Sequence, residues 1–440
     1  MKRITIIGGG ATGTLLAVNL IRHAGDQPLV INIVEKNERF GQGVAYSTVQ
    51  DYHLLNVPAG KMGAFPDDVE HFHKWLASKS YDFKPADFVP RRIYGEYLKK
   101  LFWEAYENRA ANVTVNLFNE EALDILFKGE EAEVWLNSGT SLRSDKVVLA
   151  FGNFLPPPPR TEDQGFLSAP KYFGDPWNRR IGETIKDTDD VFIIGTGLTM
   201  VDAAVGFYHT YHKGKIFAVS THGLLPSTHK LGFSYPSFET EIENHEKISG
   251  LLKTVRSHIK AAEAGEGDWR AVIDSLRPVT QKAWMKLPVT EKLRFMRHLK
   301  HFWNTCRHRI PPECAEVLYR MQWTDQLHIK KGRIKSIVLK RNDKFEVSFG
   351  RERVTVDAVI NCTGSESDFS KVNVPLVRSL LSKGAIKTDP LSLGLEADPK
   401  GKISENLYTI GTALKGIMWE STAMPELRAQ ARDLALQFLH

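Results

Sequence analysis

Short apolar runs, several of them ending at a glycine, set the rhythm of this chain. The first, Ile4–Ile7, passes into Gly8-Gly9-Gly10-Ala11-Thr12-Gly13 and then into an apolar stretch ending at Leu20; another, Leu29–Val34, ends on Glu35. A short continuous apolar run closed by glycine predicts a buried strand, and the longer stretch behind it a helix. Residues 69–78 and 92–108 predict helices, the second with Tyr94, Tyr97, Leu98, Leu101 and Phe102 at helical spacing. Alternation predicts strands at 113–117, 122–127 and 132–136, and the apolar run 146–150 predicts a closing strand into Phe151-Gly152. Prolines 156–159 mark the exit from this unit.

The same order then recurs. Val191–Ile194 runs into Gly195-Thr196-Gly197-Leu198-Thr199-Met200, a strand follows at 215–219, and later strands are expected at 328–329, 334–339, 345–349 and 357–361, the last running into Cys362-Thr363-Gly364. Two such series in one chain predict a duplication at domain scale. The expected fold is α/β: two Rossmann-like dinucleotide-binding domains with small antiparallel β-meanders and a helical insertion. The expected division gives residues 1–160 and 355–440 to a first, discontinuous domain and 161–354 to a second, with the insertion at 240–324. That insertion holds Trp269, Trp284, Trp303, Trp323 and Arg307-His308-Arg309, which fit either its own core or a wall over a bound cofactor. A last strand, 407–410, reaches Gly411, and Trp419-Glu420-Ser421-Thr422-Ala423 opens a final helix.

The glycines carry chemistry. Gly8, Gly10 and Gly13 have the G-x-G-x-x-G spacing after a strand and before a helix, with an acid, Glu35, about 20 residues on, as a dinucleotide site requires. Gly8 permits the tight turn, Gly10 lets backbone approach a pyrophosphate favoured by the helix N-terminus, and Gly13 lets helix and strand pack closely. In the second series Met200 replaces the third glycine, so a looser turn or displaced helix is expected.

Composition narrows the class. At 440 residues, 42% hydrophobic and 25% charged, the chain has material for two or three domains of a soluble protein. A net charge of +6 suits an anionic cofactor and does not indicate nucleic acid. Cys306, Cys314 and Cys362 form no disulfide framework, which favours a reducing, cytoplasmic setting. Cys306, His308 and Cys314 fit no common zinc spacing, so no metal is expected. No apolar run reaches membrane-spanning length.

Taken together, these features resemble the two-dinucleotide-binding-domain flavoproteins. The resemblance implies FAD on the first unit, NAD(P)H on the second, and a C-terminal segment whose helix N-terminus faces the flavin; Phe151-Gly152 and Thr363-Gly364 resemble the strand-end glycine motifs. Asn56-Val57-Pro58, Met62 and Phe65-Pro66-Asp67 resemble a segment of flavin-containing and N-hydroxylating monooxygenases, in which the asparagine sits beside the flavin. The combination of Gly-Val-Ala-Tyr at 43–46, His-Leu-Leu-Asn-Val-Pro-Ala-Gly at 53–60, Arg-His-Arg at 307–309 and Trp-Glu-Ser-Thr-Ala at 419–423 is similar to bacterial FAD/NAD(P)-binding, YdhS-like proteins. The histidine fingerprint of Baeyer–Villiger and related monooxygenases is absent: Phe173-Gly174-Asp175-Pro176-Trp177 stands in that region. No Cys-x-x-Cys pair occurs, which argues against a dithiol reductase of the glutathione-reductase type.

The expected cofactor contacts are Gly8, Gly10, Ala11, Thr12, Gly13, Glu35, Lys36, Ala45, Tyr46, Asn56, Met62, Arg92, Gly152, Gly195, Gly197, Leu198, Thr199, His222, Gly364, Gly411, Trp419, Glu420, Ser421 and Ala423. Asn56 is the expected catalytic residue, as a donor to oxygen on the flavin; its alternative is an Asx-type turn before Pro58. After the strand at 215–219 stands Ser220-Thr221-His222 with no carboxylate, which favours NADPH, NADH remaining possible. The first expectation is an FAD-dependent, NAD(P)H-using monooxygenase that oxidises a nitrogen or other heteroatom of a small molecule with dioxygen, through a flavin C4a-hydroperoxide. The alternatives are an FAD oxidase or reductase without oxygen insertion, and a non-catalytic flavin-binding protein. Substrate and oligomeric state are left open.

Overall fold

The computed structural model describes residues 1–37 and 40–440. Its apolar runs assemble into two five-stranded parallel sheets. The first has the spatial order Leu407–Thr409, Lys146–Leu149, Lys2–Ile7, Leu29–Val34, Val113–Phe118. The second has the order Tyr172–Phe173, Ala358–Asn361, Val191–Ile194, Ile216–Ser220, Leu327–Lys331. Position for position the sheets match, with one difference of chain path. The strand outside the closing strand comes from near the C-terminus in the first sheet, and from just before the opening strand in the second.

Parallel strands are covered on both faces, so their residues point alternately into two cores. In the first unit Ile4, Ile6, Ile31 and Ile33 pack with helices Ala11–His23, Arg91–Glu107 and Met424–Leu439. Ile7, Val34, Val147 and Leu149 face an antiparallel meander, Ala122–Lys128, Glu131–Leu136 and Ser141–Ser144, and helix Pro375–Ser382. The second unit repeats this. Val191 and Ile193 meet helices Leu198–His209 and Pro312–Trp323, while Phe192 and Ile194 meet the meander Ile334–Leu339, Phe345–Phe349, Glu352–Val356.

Three boundaries differ from expectation. Ala358–Asn361 pairs with Val191–Ile194, so the second sheet extends past the expected division at 354/355. Helix Pro312–Trp323 is the crossover into Leu327–Lys331 and packs in the second unit's core, so the insertion ends before it. Trp323, at that helix's end, is 79% exposed and belongs to no wall. The third strand of each meander, Ser141–Ser144 and Glu352–Val356, was not expected.

The insertion has a core of its own around Ile242, Val272, Ile273, Leu276 and Val279. It also has a second apolar face. Trp284, Leu287 and Phe295 pack on Trp419 and Leu393, which joins the insertion to the C-terminal segment. Of its aromatics, Trp269 and Trp303 pack on the insertion's own core and Trp284 on the C-terminal segment. No described helix is long and apolar enough to cross a membrane.

Candidate functional site

The two glycine turns are built alike. Gly8 has φ +110°, and a Cβ there would lie 2.2 Å from the Ala150 carbonyl oxygen; Gly195 also has φ +110°, with the Cys362 carbonyl 2.4 Å away. The Gly8 N–H donates to Val34 at 2.8 Å and the Gly195 N–H to Val219 at 2.7 Å, so Glu35 and Ser220 occupy equivalent positions. Helices Ala11–His23 and Leu198–His209 start on Gly10 and Gly197 with no side-chain cap and no acid in the first turn. Their first N–H groups have no intrahelical acceptor, a ready arrangement for phosphate. A Cβ on Gly13 would lie 1.9 Å from the Gly8 carbonyl oxygen, which forces the close helix–strand approach; Met200 fills the matching place in the second unit and is fully buried. Glu35 is pinned beside the first turn, accepting from the Gly9 N–H at 2.9 Å and the Asn37 N–H at 3.0 Å. At the second turn the Thr196 hydroxyl bonds Ser220 Oγ at 2.8 Å instead.

The loop that carries Asn56 is stitched down. Leu55, Ala59 and Gly60 donate backbone hydrogen bonds to Val89, Asp87 and Pro85, and Arg91 donates to His53. His229 of the second unit meets the Asn56 carbonyl through Nε2 at 3.0 Å, and burial, then Arg309, pushes its pKa down to about 4, so it is the neutral donor. The alternative of an Asx turn at Asn56 is excluded chemically, because Pro58 has no N–H to donate to its side chain. Met62 is buried in the first core, where its carbonyl accepts from Tyr94. Tyr46 packs edge-on to Tyr94 at 4.8 Å, and burial raises its phenol to about 12. Ala45 is exposed, and Lys36 pairs with Glu121 at 3.3 Å. Arg92 is turned to Asp51 and Glu96 near the surface.

Its neighbour Arg91 has the larger role. Arg91 forms a two-pronged pair with Asp202 at 2.8 and 3.1 Å, both side chains nearly buried, and thereby ties the first unit to helix Leu198–His209 of the second. Around it lie His53, whose pKa burial and Arg91 lower to about 4, and Trp177, whose ring meets both His53 and Arg91. The Phe173–Trp177 segment thus serves the junction between units. A single charged residue in a sequence does not reveal such a partner; nothing in the spacing of Arg91 and Asp202 pointed to it.

The C-terminal segment reaches the first turn. A Cβ on Gly411 would come within 3.2 Å of Thr12, and Gly411 is clamped by Gln430 at its N–H and Ser421 at its carbonyl. Ala423 precedes the last helix without a side-chain cap. Trp419 and Glu420 turn toward the insertion. Trp419 stacks near Trp284 at 4.9 Å. Glu420, held at φ +69°, accepts from Trp303 Nε1 at 2.8 Å and Arg307 Nε at 3.0 Å, with His308 at 3.6 Å. Burial raises its pKa, but Arg307, then His308 and Trp303, outweigh this and leave it lowered. Gly152 and Gly364, both at positive φ, mark the ends of the two closing strands with nothing crowding them. His222 lies against His301 of the insertion, ring centroids 4.3 Å apart and tilted by 44°, and Gly223 packs against Lys331. The sequence named Arg307-His308-Arg309 as a cluster; it did not reveal that Glu420 receives Arg307 and His308 while Arg309 pairs with Asp274.

Residues 5–154 match the model of an FAD-NAD(P)-binding family. No curated protein matches the chain. Among solved structures it is similar to the FAD-bound cadaverine monooxygenase of desferrioxamine biosynthesis from Erwinia amylovora, at 12% identity and TM-score 0.65, over 99% of this chain and 94% of that one. It is similar to the ornithine N-hydroxylase of Kutzneria sp. 744, solved with reduced FAD and NADP+, at 14% identity and TM-score 0.63, over 99% and 98%. It is also similar to the bacillithiol disulfide reductase of Staphylococcus aureus, at 14% identity and TM-score 0.57, over 100% and 99%. The N-terminal unit thus matches an FAD-NAD(P)-binding family over residues 5–154, and the whole chain shares the two-Rossmann-unit fold of these solved structures.

Proposed function

We propose that the protein is an FAD- and NADPH-dependent monooxygenase that hydroxylates a nitrogen of a small amine. The observation that supports this most is the pairing of two equivalent, uncapped glycine turns with the Asn56 loop fixed between the units by His229. The residues fit FAD on the first unit. Gly10 and the N–H groups of Ala11 to Gly13 would hold its pyrophosphate, Glu35 would take a ribose hydroxyl, and the Gly411–Ala423 segment would close the flavin end. When bound, FAD supplies the ring that accepts hydride and reacts with oxygen. The protein's part is to hold and shield. Asn56 offers an amide donor from a loop that cannot drift, and the insertion excludes water from above. On the second unit, Ser220 in place of an acid, with His222 and Lys331 beside it, favours a 2′-phosphate. The solved ornithine N-hydroxylase and cadaverine monooxygenase share the fold, which favours a primary amine as substrate.

Anaerobic titration of the flavin-loaded protein with NADPH and NADH, followed by air, tests this. Bleaching by NADPH and formation of hydroxylamine with an amine panel are expected. Bleaching with peroxide as the only product supports an oxidase or reductase, the reading that the missing histidine in Phe173–Trp177 favours. Flavin that neither nicotinamide reduces overturns both and leaves a flavin-binding protein.

A further inference from the structure

We propose that the crossover helix Pro312–Trp323 of the second unit is the contact face of a two-fold dimer, packed antiparallel on the same helix of a second copy of this chain. The proposal concerns the outer surface and does not depend on the reaction.

The helix has one face in the core and one in water. Cys314, Leu318 and Met321 are buried in the second unit's core. Glu313, Glu316, Tyr319, Arg320 and Trp323, spaced by three and four, share the other side and are all exposed. Tyr319 and Trp323 are 64% and 79% exposed, yet they stack on each other with ring centroids 6.4 Å apart. Beside them a hollow of about 380 Å³ opens toward helix Leu198–His209, lined by Tyr208, Tyr319, Arg320, Trp323 and Thr324. Single apolar residues scattered over a surface mean little; two stacked rings at the rim of such a hollow form a contiguous patch. From their exposures the two rings offer about 300 Å² per copy, enough for the apolar centre of an interface that usually covers ~800 Å² on each partner.

Charge decides the occupant. Along the stripe the acids Glu313 and Glu316 come first and Arg320 comes after. A two-fold axis sets residue i against j and j against i. An antiparallel pair with its axis level with Leu318 puts position 316 of each copy opposite position 320 of the other, and 313 opposite 323. Glu316 and Arg320 already pair along their own helix. Doubling that pair across the axis gives a ring of four alternating charges, with Tyr319 close to the axis and Trp323 beside the first turn of the other helix. The two helix dipoles then run in opposite senses, which is also favourable. A parallel arrangement would face acid with acid. The same acids speak against an anionic lipid surface as the occupant.

The test uses the full-length protein in sedimentation velocity and light scattering over a range of concentrations. The variants are Glu316→Arg, Arg320→Glu, and Tyr319→Ser combined with Trp323→Ser, each shown to be folded by circular dichroism. A dimer is expected for the wild type. The serine pair and each single charge reversal are expected to weaken it at least about tenfold, the reversals because like charges then face each other. An equimolar mixture of the two reversals, one basic at both positions 316 and 320 and the other acidic at both, should dimerise again. A contact made elsewhere on the surface would not give that rescue. The proposal is overturned if the wild type stays monomeric throughout, which leaves the stripe to a different partner, if a dimer forms that none of the substitutions weakens, or if the mixed reversals remain monomeric.

Discussion

Gly13 and Gly197 illustrate how one residue type does two jobs. A Cβ on Gly13 would meet the Gly8 carbonyl at 1.9 Å, whereas nothing lies within 4 Å of one on Gly197. Gly13→Ala is expected to cost at least ~2 kcal/mol in urea unfolding and to release flavin, as overpacking does. Gly197→Ala is expected to leave stability within about 0.5 kcal/mol and to weaken only NADPH binding, read from the reductive titration. At this scale the sequence was informative where spacing carries meaning, as at Gly8, Gly13 and Glu35. It was silent where partners lie far apart, as for Arg91 and Asp202, because ion pairing across 111 positions leaves no local pattern.

Elements show what local pattern can and cannot carry. Both meanders were legible in their first two strands, which alternate strongly. Their third strands were missed because Ser141–Ser144 turns only Leu142 and a serine inward, and Glu352–Val356 is mostly charged or exposed. The loop around Asn56 was recognised as a long irregular segment, yet its rigidity comes from backbone bonds to residues 85–91 and from His229, none of them visible in composition. That rigidity depends on pH. His53 and His229, both at about 4, are neutral in the fold but take up protons near 6.5 when unfolded. Between pH 6.5 and 4 the unfolded chain binds more protons, so stability falls on acidification through that window. Thermal unfolding followed from pH 7 to 4 should show this loss, and His229→Asn should lessen it.

At the scale of the whole molecule, the duplicated grammar foretold two equivalent sheets, and the C-terminal return to the first was legible from Gly411. The insertion's extent was not, because the crossover helix Pro312–Trp323 is as rich in charge and aromatics as the insertion it follows. The units are held together by Arg91–Asp202. Asp202→Asn strands a buried guanidinium and should cost about 3–5 kcal/mol, read by denaturant unfolding, whereas Arg91→Met with Asp202→Leu should recover much of it.

The chain path of the first sheet has a further consequence. Its outermost strand, Leu407–Thr409, and the helix Met424–Leu439 that packs on Ala11–His23 leave the ribosome only after the second sheet already has all its strands. The N-terminal unit is begun before the second and finished after it. A chain cut before Leu407 would hold a complete second unit but an open edge at Lys146–Leu149, and is expected to lose flavin. Flavin retention would then report that the first sheet has received its last strand.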